Sequence, residues 1–112
     1  MPAMKLTIAA LLLIIAAATA QAQPHPCAAD AIAKATPILR LHYGDPNEPV
    51  DVEQSVKVLP PIKALKGNGR FDVLEVFGHI YKATYRMRFI YAQIKGSCVL
   101  MGQEILEASN PY

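Results

Sequence analysis

The sequence predicts an α+β fold in which one N-terminal helix packs on a roughly four-stranded antiparallel sheet. Three observations predict it. Apolar residues recur at helical spacing across residues 28–43, they alternate at every second position across 50–59 and 70–94, and about 90 residues remain once an N-terminal leader is removed. A helix and a sheet each have one apolar surface, and packing these surfaces together buries both. A small open barrel is the alternative.

The first 22 residues have the organisation of a secretory signal peptide. Lys5 precedes an apolar run over residues 6–18, and Ala20 and Ala22 are the small residues that a signal peptidase recognises. We therefore expect cleavage after Ala22, with cleavage after Ala20 as the alternative, and a single small domain over residues 23–112, located in the periplasm or secreted. The apolar run is too short to span a bilayer, so we expect no membrane insertion after cleavage.

Charge and cysteine content narrow the function classes. Removing Lys5 from the 11 basic residues leaves 10, against 9 acidic ones, and this balance gives no reason to expect nucleic acid as a partner. The two cysteines, Cys27 and Cys98, are an even number in an oxidising compartment, so one disulfide is expected. Neither a Cys-x-x-Cys motif nor histidines at ligand spacing occur, and the sequence predicts no metal site and no cofactor.

The helix is expected to span residues 28–43. Ile32 and Leu39 lie on its apolar stripe, and Gly44 is the expected stop, because glycine readily adopts the left-handed conformation of a C-cap. Pro37 lies in the interior and removes one hydrogen bond. We expect the helix to bend there, and an end about two residues earlier is the alternative.

The first and last strands follow from simple patterns. Residues 50–59 alternate between apolar and polar side chains, and the two prolines that follow either end this strand or place its continuation at a sheet edge. A turn at residues 95–97 leads into the last strand, expected over residues 98–106. Its buried face is open at this stage, but a disulfide at Cys98 favours the set of residues that would point Glu104 inward.

Residues 70–94 are too long for one strand, and their apolar pattern changes parity near residue 82. We therefore expect a hairpin that turns at Lys82 and Ala83, with Tyr81 opposite Thr84. This register gives the sheet a buried face and an outer face. The buried face is expected to consist of alternate residues of both strands, namely Leu74, Val76, Gly78, Ile80, Tyr85, Met87, Phe89 and Tyr91.

One helix followed by antiparallel strands, at this length, resembles cystatin-like helix-on-sheet domains in architecture. The inhibitory motif of cystatins, Gln-x-Val-x-Gly, does not occur in the chain. The resemblance therefore implies a fold and carries no function.

The expected outer face contains the candidate binding residues. The register of the hairpin sets His79 opposite Arg86 and Phe77 opposite Arg88, and Tyr81 lies beside them. Aromatic rings next to arginines are typical of binding surfaces, because these residues dominate interface energies and because arginine stacks on rings. The alternative is a solvated sheet face on which arginine stems cover the rings.

We expect a protein partner and no enzyme activity. The serines lack a Gly-x-Ser-x-Gly setting, and no glycine-rich loop precedes a helix. An exported domain with one disulfide and a rigid sheet is typical of a protein-binding module. Its most specific form is an inhibitor or immunity-like protein that acts on an envelope or secreted enzyme.

Three further expectations accompany this hypothesis. A sheet edge that adds a partner strand is a second candidate surface. An accessory structural subunit of an envelope assembly is one alternative function. A carrier of a small apolar ligand is another, and it requires a cavity between Leu39, Phe89 and residues 50–58.

Overall fold

The computed structural model describes residues 24–109 of the 112, so the predicted signal peptide lies outside the described residues. The elements are α1 (Ala28–Tyr43), β1 (Asp51–Val52), β2 (Lys57–Lys63), β3 (Arg70–Ile80), β4 (Ala83–Ile94) and β5 (Ser97–Glu107). The predicted α+β class is confirmed. Two details are wrong: the helix is not N-terminal, since 27 residues of the chain precede it, and the sheet has five strands rather than four.

All strand pairs are antiparallel, in the order β1–β3–β4–β5, and β2 pairs with β3 on the same side as β1. The strand expected over residues 50–59 is therefore interrupted at residues 53–56. Pro60 and Pro61 do not end β2. The register shifts around them, and an edge strand tolerates this because a proline removes fewer ladder hydrogen bonds there than in a central strand.

Helix α1 has the predicted bounds and continues through Pro37. Gly44 ends it with a φ of 89°, and the Gly44 N–H donates a hydrogen bond to the Arg40 carbonyl oxygen at 2.9 Å. Within residues 24–109, no helix has the length and apolar character that a membrane span needs. The fully buried stripe of α1 consists of Ala31, Ala35 and Leu39.

The helix lies on the face of the sheet that the sequence predicts to be buried, which we call the inner face. Gly78 is a point of close approach, because a Cβ atom there would lie 2.7 Å from Leu39 Cδ2 and 2.9 Å from Met87 Cε. The predicted disulfide joins Cys27, directly before α1, to Cys98 in β5, with their Cα atoms 5.7 Å apart. It therefore ties the helix to the far strand of the sheet.

The β3–β4 hairpin turns one residue earlier than predicted. Ile80 pairs with Ala83, so Tyr81 and Lys82 form the turn, and Tyr81 has a positive φ of 53°. His79, rather than Tyr81, pairs with Thr84. Every predicted pair is shifted by two residues, and an even shift keeps each side chain on its predicted face. The composition of the inner face is therefore confirmed, although the pairings are wrong.

A β-bulge decides which side chains of β5 are buried. The register moves between Ile90 and Tyr91, which leaves Met101 as an extra residue in β5. The alternation of faces changes at this residue. Cys98 before the bulge and Ile105 after it both pack against the core, although the two belong to opposite sets of the sequence alternation.

Candidate functional site

The face of the sheet opposite to α1, the outer face, is organised in rows that run across the strands. Residues directly opposite each other in an antiparallel pair share a face. One row has charges of alternating sign, and we call it the charge row: Lys57, Glu75, Arg88 and Glu104. The row beside it is apolar and ends in glycine, and we call it the apolar row: Leu59, Val73, Ile90 and Gly102.

Glu75 is only 1% exposed, although it lies on the face that the helix does not cover. Arg86 Nη2 donates a hydrogen bond to Glu75 Oε2 at 3.1 Å, and Arg88 Nε donates one to the same oxygen at 3.0 Å. Burial acts to raise the pKa of Glu75, but the hydrogen bonds from Arg88 and Arg86 outweigh it, so the pKa lies below its usual range. Glu75 is therefore ionised at neutral pH.

The shared carboxylate holds the two guanidinium groups in place. Arg86 Nε is buried and has no hydrogen-bond acceptor within residues 24–109. Arg88 Nη1 lies 3.8 Å from Glu104 Oε2. The expectation that Glu104 points inward is wrong, because the bulge in β5 places it on the outer face, where its side chain is 55% exposed. Side chains held in this way lose little conformational entropy when a partner binds.

A groove of about 390 Å³ follows the apolar row. Such a groove, apolar along most of its length with a few polar groups at one border, can hold an apolar side chain of a partner. Apolar side chains form most of its lining, and two members of the charge row border it: Leu59, Pro60, Ile62, Val73 and Ile90, with Arg88 and Glu104.

The structure brings three of the five predicted binding residues together. Phe77 pairs with Arg86, and Arg88 lies in the adjacent row opposite Glu75. The predicted pairs of His79 with Arg86 and of Phe77 with Arg88 are wrong, because the hairpin turns one residue earlier than expected. Phe77, Arg86 and Arg88 nevertheless occupy the middle of the outer face.

His79 and Tyr81 lie at the turn end of the hairpin instead. His79 Nδ1 is 3.2 Å from Thr84 Oγ1, and its Nε2 is 3.1 Å from Glu53 Oε2. A hydroxyl, an imidazole and a carboxylate in this order could activate a nucleophile. The His79 and Glu53 side chains are, however, 36% and 49% exposed, and water weakens the electrostatic effects on which such activation depends. Tyr81 is exposed in the turn, with Lys82 Nζ 5.4 Å from its ring centre.

Sequence reasoning did not select Glu75. In the expected register Glu75 faces no arginine, whereas in the structure it lies opposite Arg88. The sequence did contain one usable signal, the alternation of side chains. Glu75, Arg86 and Arg88 lie on the same face whenever the pairing of β3 with β4 shifts by an even number of residues. A glutamate that shares a sheet face with two arginines is a candidate ion pair in every such register.

A second polar cluster lies between α1 and the sheet. The Tyr91 hydroxyl donates a hydrogen bond to Asp30 Oδ2 at 2.6 Å, and Lys34 Nζ donates to the same oxygen at 2.9 Å. The hydrogen bond from Tyr91, followed by that from Lys34, lowers the pKa of Asp30. Burial, together with the Asp30 carboxylate, raises the pKa of Tyr91. This cluster fastens the first turn of the helix to β4.

The hypothesis of an apolar-ligand carrier requires a cavity between Leu39, Phe89 and residues 50–58. One cavity of about 400 Å³ lies between α1 and residues 54–58, and Ile32 and Val56 line it. Leu39 and Phe89 are fully buried, and they line none of three cavities of about 390 to 450 Å³ found within residues 24–109. In the same part of the chain, no group of three or more His, Cys, Asp or Glu side chains could hold a metal ion.

Comparison with protein-family models, with curated proteins and with solved structures finds no match for this chain. The function is therefore argued from the residues of the chain itself.

Proposed function

We propose that this chain is a small exported protein-binding module whose mature domain comprises residues 23–112. The Cys27–Cys98 disulfide supports export, because such bonds persist in the periplasm and outside the cell and are rare in the cytosol. A signal peptide cleaved after Ala22 would deliver the chain there. The helix packed on one face of an antiparallel sheet supports a cystatin-like architecture.

The observation that carries the proposal is the buried Glu75 beneath two arginines on the outer face. Burying a carboxylate costs free energy that its ion pairs only partly return, so the arrangement is a poor device for stability alone. It does hold two arginines rigidly beside an apolar groove. Arginine and apolar pockets are the features that dominate binding at protein interfaces.

The partner that fits this face has a matching chemistry. One of its apolar side chains would enter the groove, and its carboxylate or carbonyl oxygens would accept hydrogen bonds from N–H groups of Arg86 and Arg88. We propose that the partner is an envelope or secreted enzyme and that this chain acts on it as an inhibitor or immunity-like protein. A preorganised surface suits that role, because inhibitors of enzymes change shape little on binding.

The test is capture of the partner from a native envelope fraction with the tagged mature protein. Ile62→Glu alters the groove at a residue that is 44% exposed, and Leu41→Glu makes the same kind of change on the helix at a residue that is 82% exposed. We expect Ile62→Glu to reduce the captured partner at least tenfold, and Leu41→Glu to leave capture unchanged. Both variants should keep the thermal midpoint of the wild type, since neither site is buried. Equal capture by the two variants would contradict a role for the outer face.

The captured protein then decides between functions. Inhibition of a soluble enzyme by the wild type, lost in Ile62→Glu, supports the inhibitor hypothesis. Recovery of a membrane complex would instead favour an accessory structural subunit. Replacing both Arg86 and Arg88 by alanine is unsuitable here, because it removes the ion-pair partners and the cover of Glu75 and so changes the structure of the outer face together with its binding groups.

A further inference from the structure

We propose that the free edge of β5 binds an extended, basic segment of the partner protein as an added antiparallel strand. This inference rests on the proposed protein-binding function and specifies part of the chemistry of the partner. The unpaired N–H and C=O groups of a sheet edge are satisfied when an extended chain pairs with them.

The two edges of the sheet differ in how well they can accept a strand. One edge consists of β1 and β2, which residues 53–56 interrupt and in which Pro60 and Pro61 have no N–H to donate. The other edge is β5, 11 residues long and without proline. Within residues 24–109, β5 pairs with β4 and with no strand on its other side. It also lacks the lysines that commonly protect an edge from pairing.

One hydrogen bond shows which backbone groups of β5 point outward. The Ala108 N–H donates to the Thr84 carbonyl oxygen at 2.7 Å, just beyond the last residue of β5. Backbone groups of alternate residues in an antiparallel strand point to the same side. The even-numbered residues from 102 to 106 therefore bond toward β4. The N–H and C=O groups of residues 103, 105 and 107 point away from the sheet.

The side chains along this edge define what the added strand must carry. Gly102 ends the apolar row without a side chain, and a Cβ atom there would lie 4.0 Å from Ile90 Cδ1. A large apolar side chain opposite Gly102 can therefore lie over the glycine and contact Ile90, as aromatic residues do beside edge glycines. Glu104 ends the charge row, and its exposed carboxylate favours lysine or arginine opposite it.

The chemistry of β5 argues against a second copy of the chain as the added strand. Its charged residues are Glu104 and Glu107, and it contains neither lysine nor arginine. Pairing β5 with β5 therefore supplies no cation opposite Glu104. A segment of a different protein can place a basic residue opposite Glu104, at the end of the charge row. A large apolar residue two positions away then lies opposite Gly102, at the end of the apolar row.

The test measures binding of two labelled synthetic peptides to the full mature protein by fluorescence anisotropy. Each peptide has about eight residues and blocked ends, with phenylalanine near its middle. One carries lysine two positions before the phenylalanine, and the matched peptide carries glutamate there. In an antiparallel strand these positions face Glu104 and Gly102. We expect the lysine peptide to bind at least tenfold more tightly than the glutamate peptide.

Three variants of the protein locate the binding. Gln103→Pro removes an outward N–H without touching the β4 side, and we expect it to abolish binding, whereas the matched Gln103→Thr retains it. Gly102→Val occupies the gap in the apolar row and should weaken binding about tenfold. Glu104→Gln should remove the preference for lysine. The last two variants still decide the question if Gln103→Pro fails to fold.

Three results would overturn the inference. The first is equal binding of the two peptides, and the second is peptide binding that survives in Gln103→Pro. The third is a dimer in analytical ultracentrifugation that Gln103→Pro converts to a monomer, because a second copy would then occupy the edge. If the inference fails while Ile62→Glu still lowers partner capture, the proposed function stands. If Ile62→Glu and Leu41→Glu capture equally, the proposed function fails by itself.

Discussion

The inner and outer faces of the β3–β4 hairpin reach similar burial by different means. On the inner face, Phe89 is buried by a helix whose Leu39 comes close to the sheet at Gly78. On the outer face, Glu75 is buried beneath its own two ion-pair partners. Burial of the first kind depends on shape and is independent of pH. Burial of the second kind depends on the two arginine side chains, so their removal would expose the carboxylate.

The two faces are expected to differ most in the stability that is lost when a phenylalanine is replaced by alanine. Phe89→Ala leaves a cavity under the helix and should lower the free energy of unfolding by about 3–5 kcal/mol. Phe77→Ala is the matched change on the outer face, where the ring is half-buried, and it should cost less than half as much. Urea unfolding measures both. Equal losses would mean that the outer face packs its apolar side chains as tightly as the inner face.

The disulfide acts on the inner side, where it joins the helix to β5. Replacing Cys27 and Cys98 by serine removes a link between residues that are 71 positions apart. In the chain-entropy account, this should lower the free energy of unfolding by about 4 kcal/mol. Reduction of the wild type should lower the free energy of unfolding by a similar amount. A loss below about 1 kcal/mol would indicate that the contacts of the helix with the sheet suffice without the covalent link.

Glu75 and Glu104 provide the corresponding comparison within the charge row. Glu75→Gln removes a buried negative charge from two arginines and should cost about 1–3 kcal/mol. Glu104→Gln makes the same substitution at an exposed position and should change stability by less than about 1 kcal/mol. Chemical denaturation of both variants at neutral pH provides the measurement. A larger loss for Glu104→Gln would contradict the central place given to Glu75.

The smallest effect is a difference in acid sensitivity. Glu75 and Asp30 have lowered pKa values in the folded state. Their stabilisation is complete above the unfolded pKa, about 4, and is lost as the pH falls through the folded value. We therefore expect the stability of the wild type to fall below about pH 4, and to fall less steeply in Glu75→Gln. Parallel curves from pH 6 to pH 2 would show that Glu75 titrates alike in both states.

Local signals in the sequence correctly predicted the first and last residues of helix α1. Its apolar spacing and Gly44 are properties of one short segment, and nothing distant alters them. The turn at Lys95 and Gly96 was located for the same reason, because both residues adopt positive φ and the glycine marks the place. The turn at Tyr81 and Lys82 contains no glycine, so its position was missed by one residue.

For the candidate site, the alternating pattern predicted which residues share the outer face but not which residues pair across the strands. An alternating pattern repeats every two residues, so it assigns Phe77 and Arg86 to the outer face but cannot distinguish registers that differ by two. The partnership of Glu75 with Arg88 depends on that register. The bulge at Met101 leaves no mark in composition, and the place of Glu104 on the outer face follows from it.

The prolines in β2 also limit how far copies of this molecule can stack. A filament can lengthen indefinitely only if each copy has two sheet edges that can pair with other copies, because each added copy must leave a free edge for the next. Here Pro60, Pro61 and the break before β2 make one side unreceptive. Two copies joined through β5 would therefore both present the interrupted, proline-containing side outward, and the sheet would not lengthen by adding further folded copies.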